Sequence, residues 1–450
     1  MRCSKSSDTT EASGYPLQVT SVSVFNYIPL NINALIRMHK ATMESQQGQQ
    51  RHANPGKRSD KIIPPAVSSQ TEECNDTIES IFNTMNNTEK EVAESLAKIR
   101  MLILKEGIPV PLESKQASLH TPFTSPTGYQ HYRIPRYEQQ RLRSQTWKML
   151  LGVYHVSFTE YACLVKKGRS EVYDKVHDDT FRTLATDREF STKVYEDSLI
   201  RVLNAFVWKE KEPTKKIHAS MQHFAELPAR PSGKNSLQFT YVQGMNVLAA
   251  PFLYTMPEVE AFFTFSTMIR YCCPLYVQPL LQGVHCGVKL LDMCLQAADP
   301  ELFGYLRGKN LTAELYAFPS ILTLSACTPP LDQILQLWDF LFAFGVHLNV
   351  LCIVARLMII RIDLLQSPSP MKLLRTLPSL EARVVIPLTV SLARDLPPAL
   401  YKQLARHPYD DCVAEELDVR VGSGINSLYM AGSVVAVAPP VMRPKILGEK

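Results

Sequence analysis

Glycine is scarce in this 450-residue chain, 18 residues against 31 prolines. Strands joined by glycine turns are disfavoured by that balance, and helices punctuated by proline fit it better. Cysteine is sparse as well: ten residues, no C-x-x-C, and Cys272 and Cys273 side by side. That spacing has no pairing logic for a disulfide framework, so the expectation is a reduced, cytoplasmic chain. Long apolar runs free of charge are missing. The most apolar stretch, 346–365, carries Arg356, Arg361 and Asp363 and reads as one buried helix rather than a transmembrane segment. The first fifteen residues lack an apolar segment and carry Asp8 and Glu11, which disfavours signal and transit peptides. An excess of one charge sign is also absent: 48 Lys+Arg against 43 Asp+Glu leaves +5, far short of a nucleic-acid footprint.

The familiar catalytic signatures are missing too. Gly233-Lys234 and Gly308-Lys309 are each followed by Asn and lack the upstream glycine of a phosphate-cradling loop. There is no G-x-S-x-G, H-E-x-x-H or G-x-G-x-x-G. His285-Cys286 is an isolated pair whose side chains diverge on a helix, so no metal site is expected. The chain is therefore expected to hold no nucleotide, metal or redox cofactor of its own.

What is present is a large apolar fraction, 45% hydrophobic, enough for a substantial core. Residues 1–87 are rich in Ser, Thr, Asn and Gln and read as a disordered extension. Thr88-Glu-Lys-Glu91 is a capping-box pattern, followed at helical spacing by Val92, Leu96, Ile99 and Ile103 and stopped by Gly107. Residues 111–137 have no periodicity and read as a loop-like insertion, with Thr121-Pro122 and Ser125-Pro126 either phosphorylation sites or inert linker. From Arg141 helical patterns dominate. Thr186-Asp-Arg-Glu189 reads as a second capping box leading Tyr195, Leu199, Val202 and Phe206 on one face. Residues 209–236 read as a solvated loop. Further helices carry Phe262, Phe265 and Ile269; Val284, Val288, Leu291 and Leu295; and Leu331, Ile334, Leu335, Trp338 and Leu341. Asp299-Pro300-Glu301 combines an N-cap, a first-turn proline and an acid. Ser367-Pro-Ser369-Pro370 reads as an interhelical turn or a phosphorylation site. The fold expected is all-α: one large helical domain over 88–410, with a tail at 411–450.

Two segments carry polar chemistry. In Val176-His-Asp-Asp179-Thr-Phe-Arg182, the Asp and Arg three residues apart fit a local ion pair. In Tyr241-Val-Gln243-Gly244-Met245-Asn246, a Gln beside Gly at the start of an apolar run fits a capping hydrogen bond equally well. Taken with Arg143-Ser-Gln-Thr-Trp147 before them, they stand in the order of R-x-x-x-W, I-x-x-D-x-x-R and Y-x-Q, three motifs of the TBC domain. Leu315-Tyr-Ala-Phe-Pro319 and Leu337-Trp-Asp339 resemble later TBC segments. Val176 stands where the motif has Ile. Ser320 replaces the Trp that usually follows Ala-Phe-Pro, and with YVQGMNVLAAPFLY and LDQILQLWDFLFAFG the chain resembles the yeast checkpoint GTPase activators of that family, which restrain mitotic exit and septation.

The resemblance implies a GTPase-activating protein acting on a Ras/Rab-like small GTPase in its GTP form, with Arg182 and Gln243 as catalytic fingers supplied in trans. It casts Asp179, Arg143, Trp147, Tyr241 and Gly244 as support: Asp179 orienting Arg182, Arg143 packed against the Trp147 ring, Tyr241 anchoring the Gln loop, and Gly244 letting backbone approach the GTPase. It also implies a scaffold subunit of a two-component activator and a place at the spindle pole body. The alternatives are a non-catalytic helical GTPase-binding module and a membrane-traffic Rab GAP.

Overall fold

The computed structural model describes residues 77–84, 89–111, 123–124, 130–131, 133–134, 136–212 and 237–419. Thr88, the 213–236 stretch, the two Thr/Ser-Pro sites near 121–126 and the chain beyond Val419 lie outside the described residues. Helix α1 (Ile78–Thr84) falls within the stretch expected to be disordered. Thr77 and Ser80 cap it reciprocally, and Ile78 and Ile81 are buried. Two apolar residues a helical turn apart, in a run too short to show periodicity, left little for the sequence to signal. Helix α2 (Glu89–Lys105) buries Val92, Leu96, Ile99 and Ile103 as expected from their spacing.

The described residues of 111–137 include short strands. Val110–Pro111 pairs parallel with Arg133–Ile134, and Phe123–Thr124 pairs antiparallel with Gln130–His131. Ladders of two residues leave no alternation to read in a sequence. Helix α3 (Arg136–Leu150) begins five residues before the periodicity becomes visible, because its first turn is polar.

Helices α4 (Phe158–Lys166), α5 (Tyr173–Thr180), α6 (Arg188–Lys193) and α7 (Glu196–Lys211) follow. The N-cap of α6 is Asp187, whose side chain accepts from the Phe190 backbone N–H at 2.9 Å, not Thr186 as the capping-box reading had it. Tyr195 is 75% exposed and precedes α7, whereas Leu199, Val202 and Phe206 do form its buried face. Lys209 and its neighbours to Lys211 complete α7 rather than starting a loop.

The core is built around α8 (Met245–Thr255), buried at all eleven positions. Helix α9 (Glu258–Thr267), continued by a π-helical turn at Met268–Cys272, packs on α7 and α8. Helix α10 (Gln282–Ala298) neighbours α11 (Pro300–Gly308) and α12 (Ala313–Leu322). Asp299 caps α11 by accepting from the Leu302 N–H at 2.9 Å, with Pro300 in its first turn as read from the sequence. Helix α13 (Leu331–Phe344) ends at Gly345, whose φ of +124° suits glycine. It touches α2 and α3. The apolar 346–365 stretch is not one helix: a 3₁₀ turn (Val346–Leu348) leads into α14 (Asn349–Ile359), which breaks at Ile360 before α15 (Arg361–Gln366). Helices α16 (Pro370–Arg375), α17 (Ala382–Asp395), α18 (Pro398–Arg406) and α19 (Cys412–Glu416) close the fold, with α17 against α13 and α14. Helix α19 lies inside the expected tail, and Val413 and Ala414 bury there. Ser367 and Ser369 occupy the α15–α16 turn, with the Ser367 carbonyl accepting from Tyr305 at 2.7 Å.

Helices α3, α8 and α13 meet in an aromatic cluster. Trp147 sits edge-on to Phe252 and Phe342, with ring centroids 5.5 and 5.1 Å away, and Trp338 lies 5.5 Å from Phe252. Among the described residues the architecture is all-α apart from the two short strand pairs.

Candidate functional site

The two motif segments carrying Arg182 and Gln243 come together beside the N-terminus of α8. Helix α5 buries Val176 and ends at Thr180, so Asp179 is helical and Arg182 lies two residues beyond, in a run of turns with Leu184 at φ +47°. Arg182 Nη2 donates to Asp179 Oδ1 at 2.5 Å, giving the local ion pair that the spacing fits. The other carboxylate oxygen, Oδ2, accepts from the Tyr241 hydroxyl at 2.8 Å. One buried carboxylate thus joins the arginine segment to the Tyr-x-Gln segment. Burial, then the Asp179 charge and the bond to it, hold the Tyr241 phenol far above its ordinary pKa. It therefore stays protonated and donating.

Arg182 is half-exposed, and only Nη2 of its fork is engaged: its Nε is buried without a hydrogen-bond partner. The exposed part of the guanidinium side chain is open to a partner of opposite charge. Beside it, Phe181 is 65% exposed. Gln243 is half-buried, and no hydrogen bond of its side chain exists among the described residues. Its carboxamide is available to an outside partner.

Gly244 stands at the N-cap of α8 with φ +101°, a conformation that L side chains rarely adopt. A Cβ there would lie 2.9 Å from Leu322 Cδ2 on α12. The glycine thus has reasons internal to the chain, beside the approach to a GTPase expected from the sequence.

Arg143 and Trp147 do not form the expected Arg-on-ring pair. Both reach Asp339 on α13: Arg143 Nε and Nη2 donate to the carboxylate at 3.0 Å each, and Trp147 Nε1 donates at 2.7 Å. All three are buried. The first and last motifs therefore converge on one structural ion pair between α3 and α13. Five of the seven expected residues gather around α8 (Asp179, Arg182, Tyr241, Gln243, Gly244), and two brace the helices behind it.

Sequence reasoning missed Asn246 and Thr183, whose side chains bond across the two segments at 2.8 Å. Asn246 was the lone polar residue ahead of the apolar run Val247 to Leu253, which is a signal of a buried polar role. His285, paired with no second metal ligand in sequence, lies 3.7 Å from Glu314. A cavity of about 340 Å³, lined by Lys193, Tyr195, Tyr254, Thr255 and Glu258 among others, opens at the far end of α8 and includes neither Arg182 nor Gln243. Arg182 and Gln243 both lie outside it, an arrangement that suits a surface completed by another molecule. Among the described residues, no helix is long and apolar enough to cross a membrane.

The sequence that builds this helical domain matches a known family. The model of the Rab-GTPase-TBC domain family fits residues 140–365, and the chain belongs to that family. Among its relatives, cell division control protein 16 of Schizosaccharomyces pombe is 45% identical over 269 residues, covering 60% of this chain and 81% of that protein. Mitotic check point protein BUB2 of Saccharomyces cerevisiae is 37% identical over 335 residues, covering 74% of this chain and 97% of that protein.

Proposed function

We propose that this protein is a GTPase-activating protein that stimulates hydrolysis of GTP on a Ras/Rab-like small GTPase, with Arg182 and Gln243 acting in trans. The observation that carries the proposal is the shared carboxylate of Asp179, which holds the Arg182 segment to the Tyr241–Gln243 segment while the Arg182 side chain stays partly exposed and the Gln243 carboxamide has no partner among the described residues. In the reaction, water attacks the γ-phosphorus, the bond to the β–γ bridging oxygen breaks, and GDP and phosphate leave. Catalysis then needs charge compensation on the phosphates and an oriented water. Guanidinium stays cationic and donates in a fixed fork, so Arg182 neutralises charge building on the bridging oxygen. A carboxamide both donates and accepts, so Gln243 holds the attacking water while contacting GTPase backbone. Neither role requires this chain to bind GTP alone, in keeping with its lack of a phosphate-cradling loop.

Similarity to cell division control protein 16 and to mitotic check point protein BUB2 supports a role in restraining mitotic exit and septation within a spindle checkpoint. The resemblance extends that role to a scaffold subunit of a two-component activator and to the spindle pole body. The test is a panel of GTP-loaded small GTPases, each run with and without candidate scaffold subunits. Acceleration confined to a septation- or mitotic-exit GTPase is the expected outcome. Acceleration confined to membrane-traffic Rabs contradicts the cellular role, and binding with no acceleration in any combination contradicts the activity.

A further inference from the structure

We propose that Asn246 is a positioning residue that locks the Arg182 and Gln243 segments into one unit, so that both fingers meet a GTPase in fixed register. The inference rests on the reading of those two residues as fingers. Asn246 lies on the first turn of α8, 4% exposed, and is followed by the apolar run Val247 to Leu253. A carboxamide so placed is costly unless its donors and acceptor are used. Here they are used fully. Nδ2 donates to the Asp179 carbonyl at 3.1 Å and to Thr183 Oγ1 at 2.8 Å. Oδ1 accepts from the Gly244 backbone N–H at 3.2 Å and, more weakly, from the Tyr241 hydroxyl at 3.4 Å.

The orientation of the amide is dictated by chemistry: a carbonyl cannot donate and a backbone N–H cannot accept, so Nδ2 must face Asp179 and Oδ1 must face Gly244. The four partners sort into two pairs. Asp179 and Thr183 flank Arg182, and Tyr241 and Gly244 flank Gln243. Among the described residues, no backbone hydrogen bond runs between the 179–187 and 241–246 segments. Their connection is carried by side chains, the Asp179–Tyr241 bond and the Asn246 carboxamide. Thr183 Oγ1 completes the arrangement by donating to the Asp179 carbonyl at 3.1 Å while accepting from Asn246. Asn246 thus holds backbone on both sides, which the carboxylate of Asp179 does not.

The experiment uses the full chain with Asn246→Ala and, as a variant that leaves the start of α8 intact, Thr183→Val. Amide hydrogen exchange comes first and needs no GTPase. In N246A, exchange at Gly244 and at residues 182–184 should accelerate together. Single-turnover hydrolysis with the responsive GTPase comes second. Each variant should lower the stimulated rate at saturation about 10–100-fold, as a small misplacement of a catalytic group does, with GTPase affinity changed less than about twofold. In the double variant N246A/R182A the losses should fall well short of the product of the single losses. Faster exchange confined to 241–246, unchanged rates in both variants, or strictly multiplicative losses would overturn the proposal. If the parent activates no GTPase, the finger reading fails, and the exchange measurement still decides whether Asn246 joins the two segments. If N246A does not fold, T183V decides by the same exchange and rate readouts.

Discussion

At position 244 a single methyl group would meet two obstacles. Backbone at φ +101° strains any L residue, and the new Cβ would stand 2.9 Å from Leu322 Cδ2. Leucine can yield at its tip, whereas the dihedral cannot relax without disturbing the Gly244 N–H bond to Asn246. Gly244→Ala should therefore cost about 1–3 kcal/mol of stability, measured by urea unfolding, with a fall in stimulated GTP hydrolysis. A variant as stable as the parent would contradict the strain. Residues of this kind were partly legible in the sequence. Spacing alone permitted the Asp179–Arg182 pair, and the structure contains it. The Tyr241 hydroxyl bond to Asp179, by contrast, spans 62 residues, and no local pattern encodes a contact of that range. Asn246 stood in plain view as one polar residue before an apolar run, but two of its four partners, Asp179 and Thr183, lie 67 and 63 residues away.

Among the elements, those with strong periodicity were readable, and those shaped by tertiary contact were not. Helix α2 announced itself through Val92, Leu96, Ile99 and Ile103. Helix α1 did not, because it is two turns long and is held partly by a surface pair, Arg141 Nη2 to Glu79 Oε1 at 2.9 Å. The break at Ile360 was hidden inside an apolar stretch that hydropathy reads as continuous. The motifs R-x-x-x-W and L-W-D were visible separately, but their meeting on Asp339 required the packing of α3 on α13. That meeting makes a prediction at this scale. Asp339→Ala strands the buried Arg143 guanidinium and removes the acceptor of the Trp147 indole N–H, which should cost about 3–5 kcal/mol in urea unfolding. Because the charge left behind supplies much of that cost, Arg143→Met with Asp339→Leu together should cost less than D339A alone. A double variant that loses the full sum of both single effects would contradict a coupled pair.

For the whole molecule, two histidines make stability depend on pH. His347 and His407 are buried near α18. The His407 ring accepts from or donates to the Tyr276 hydroxyl at 2.8 Å, and His347 contacts the Tyr401 hydroxyl at 3.2 Å. Burial lowers His347 from 6.5 to about 3, with His407 adding to the effect, and lowers His407 from 6.5 to about 4. Below about pH 6.5 the unfolded chain therefore takes up protons that the native chain refuses. Stability falls as pH drops from about 6.5 toward 4, by up to about 1.4 kcal/mol per pH unit for each histidine, and above about 7 these groups contribute no slope. Urea midpoints measured from pH 7.5 to 5 should show the decline, and His407→Gln should flatten it; an unchanged slope in that variant would contradict the assignment. The same fold that buries these imidazoles holds the Arg182 and Gln243 segments together beside α8, where both side chains are proposed to act on a bound GTPase. The most direct test of that proposal is single-turnover GTP hydrolysis on the responsive GTPase at saturating protein, comparing the parent with Arg182→Ala and Gln243→Ala. Loss of about 10³–10⁵-fold of the stimulated rate in R182A, and a large loss in Q243A with the complex still forming, is the predicted result. Acceleration by both variants equal to that of the parent would contradict it.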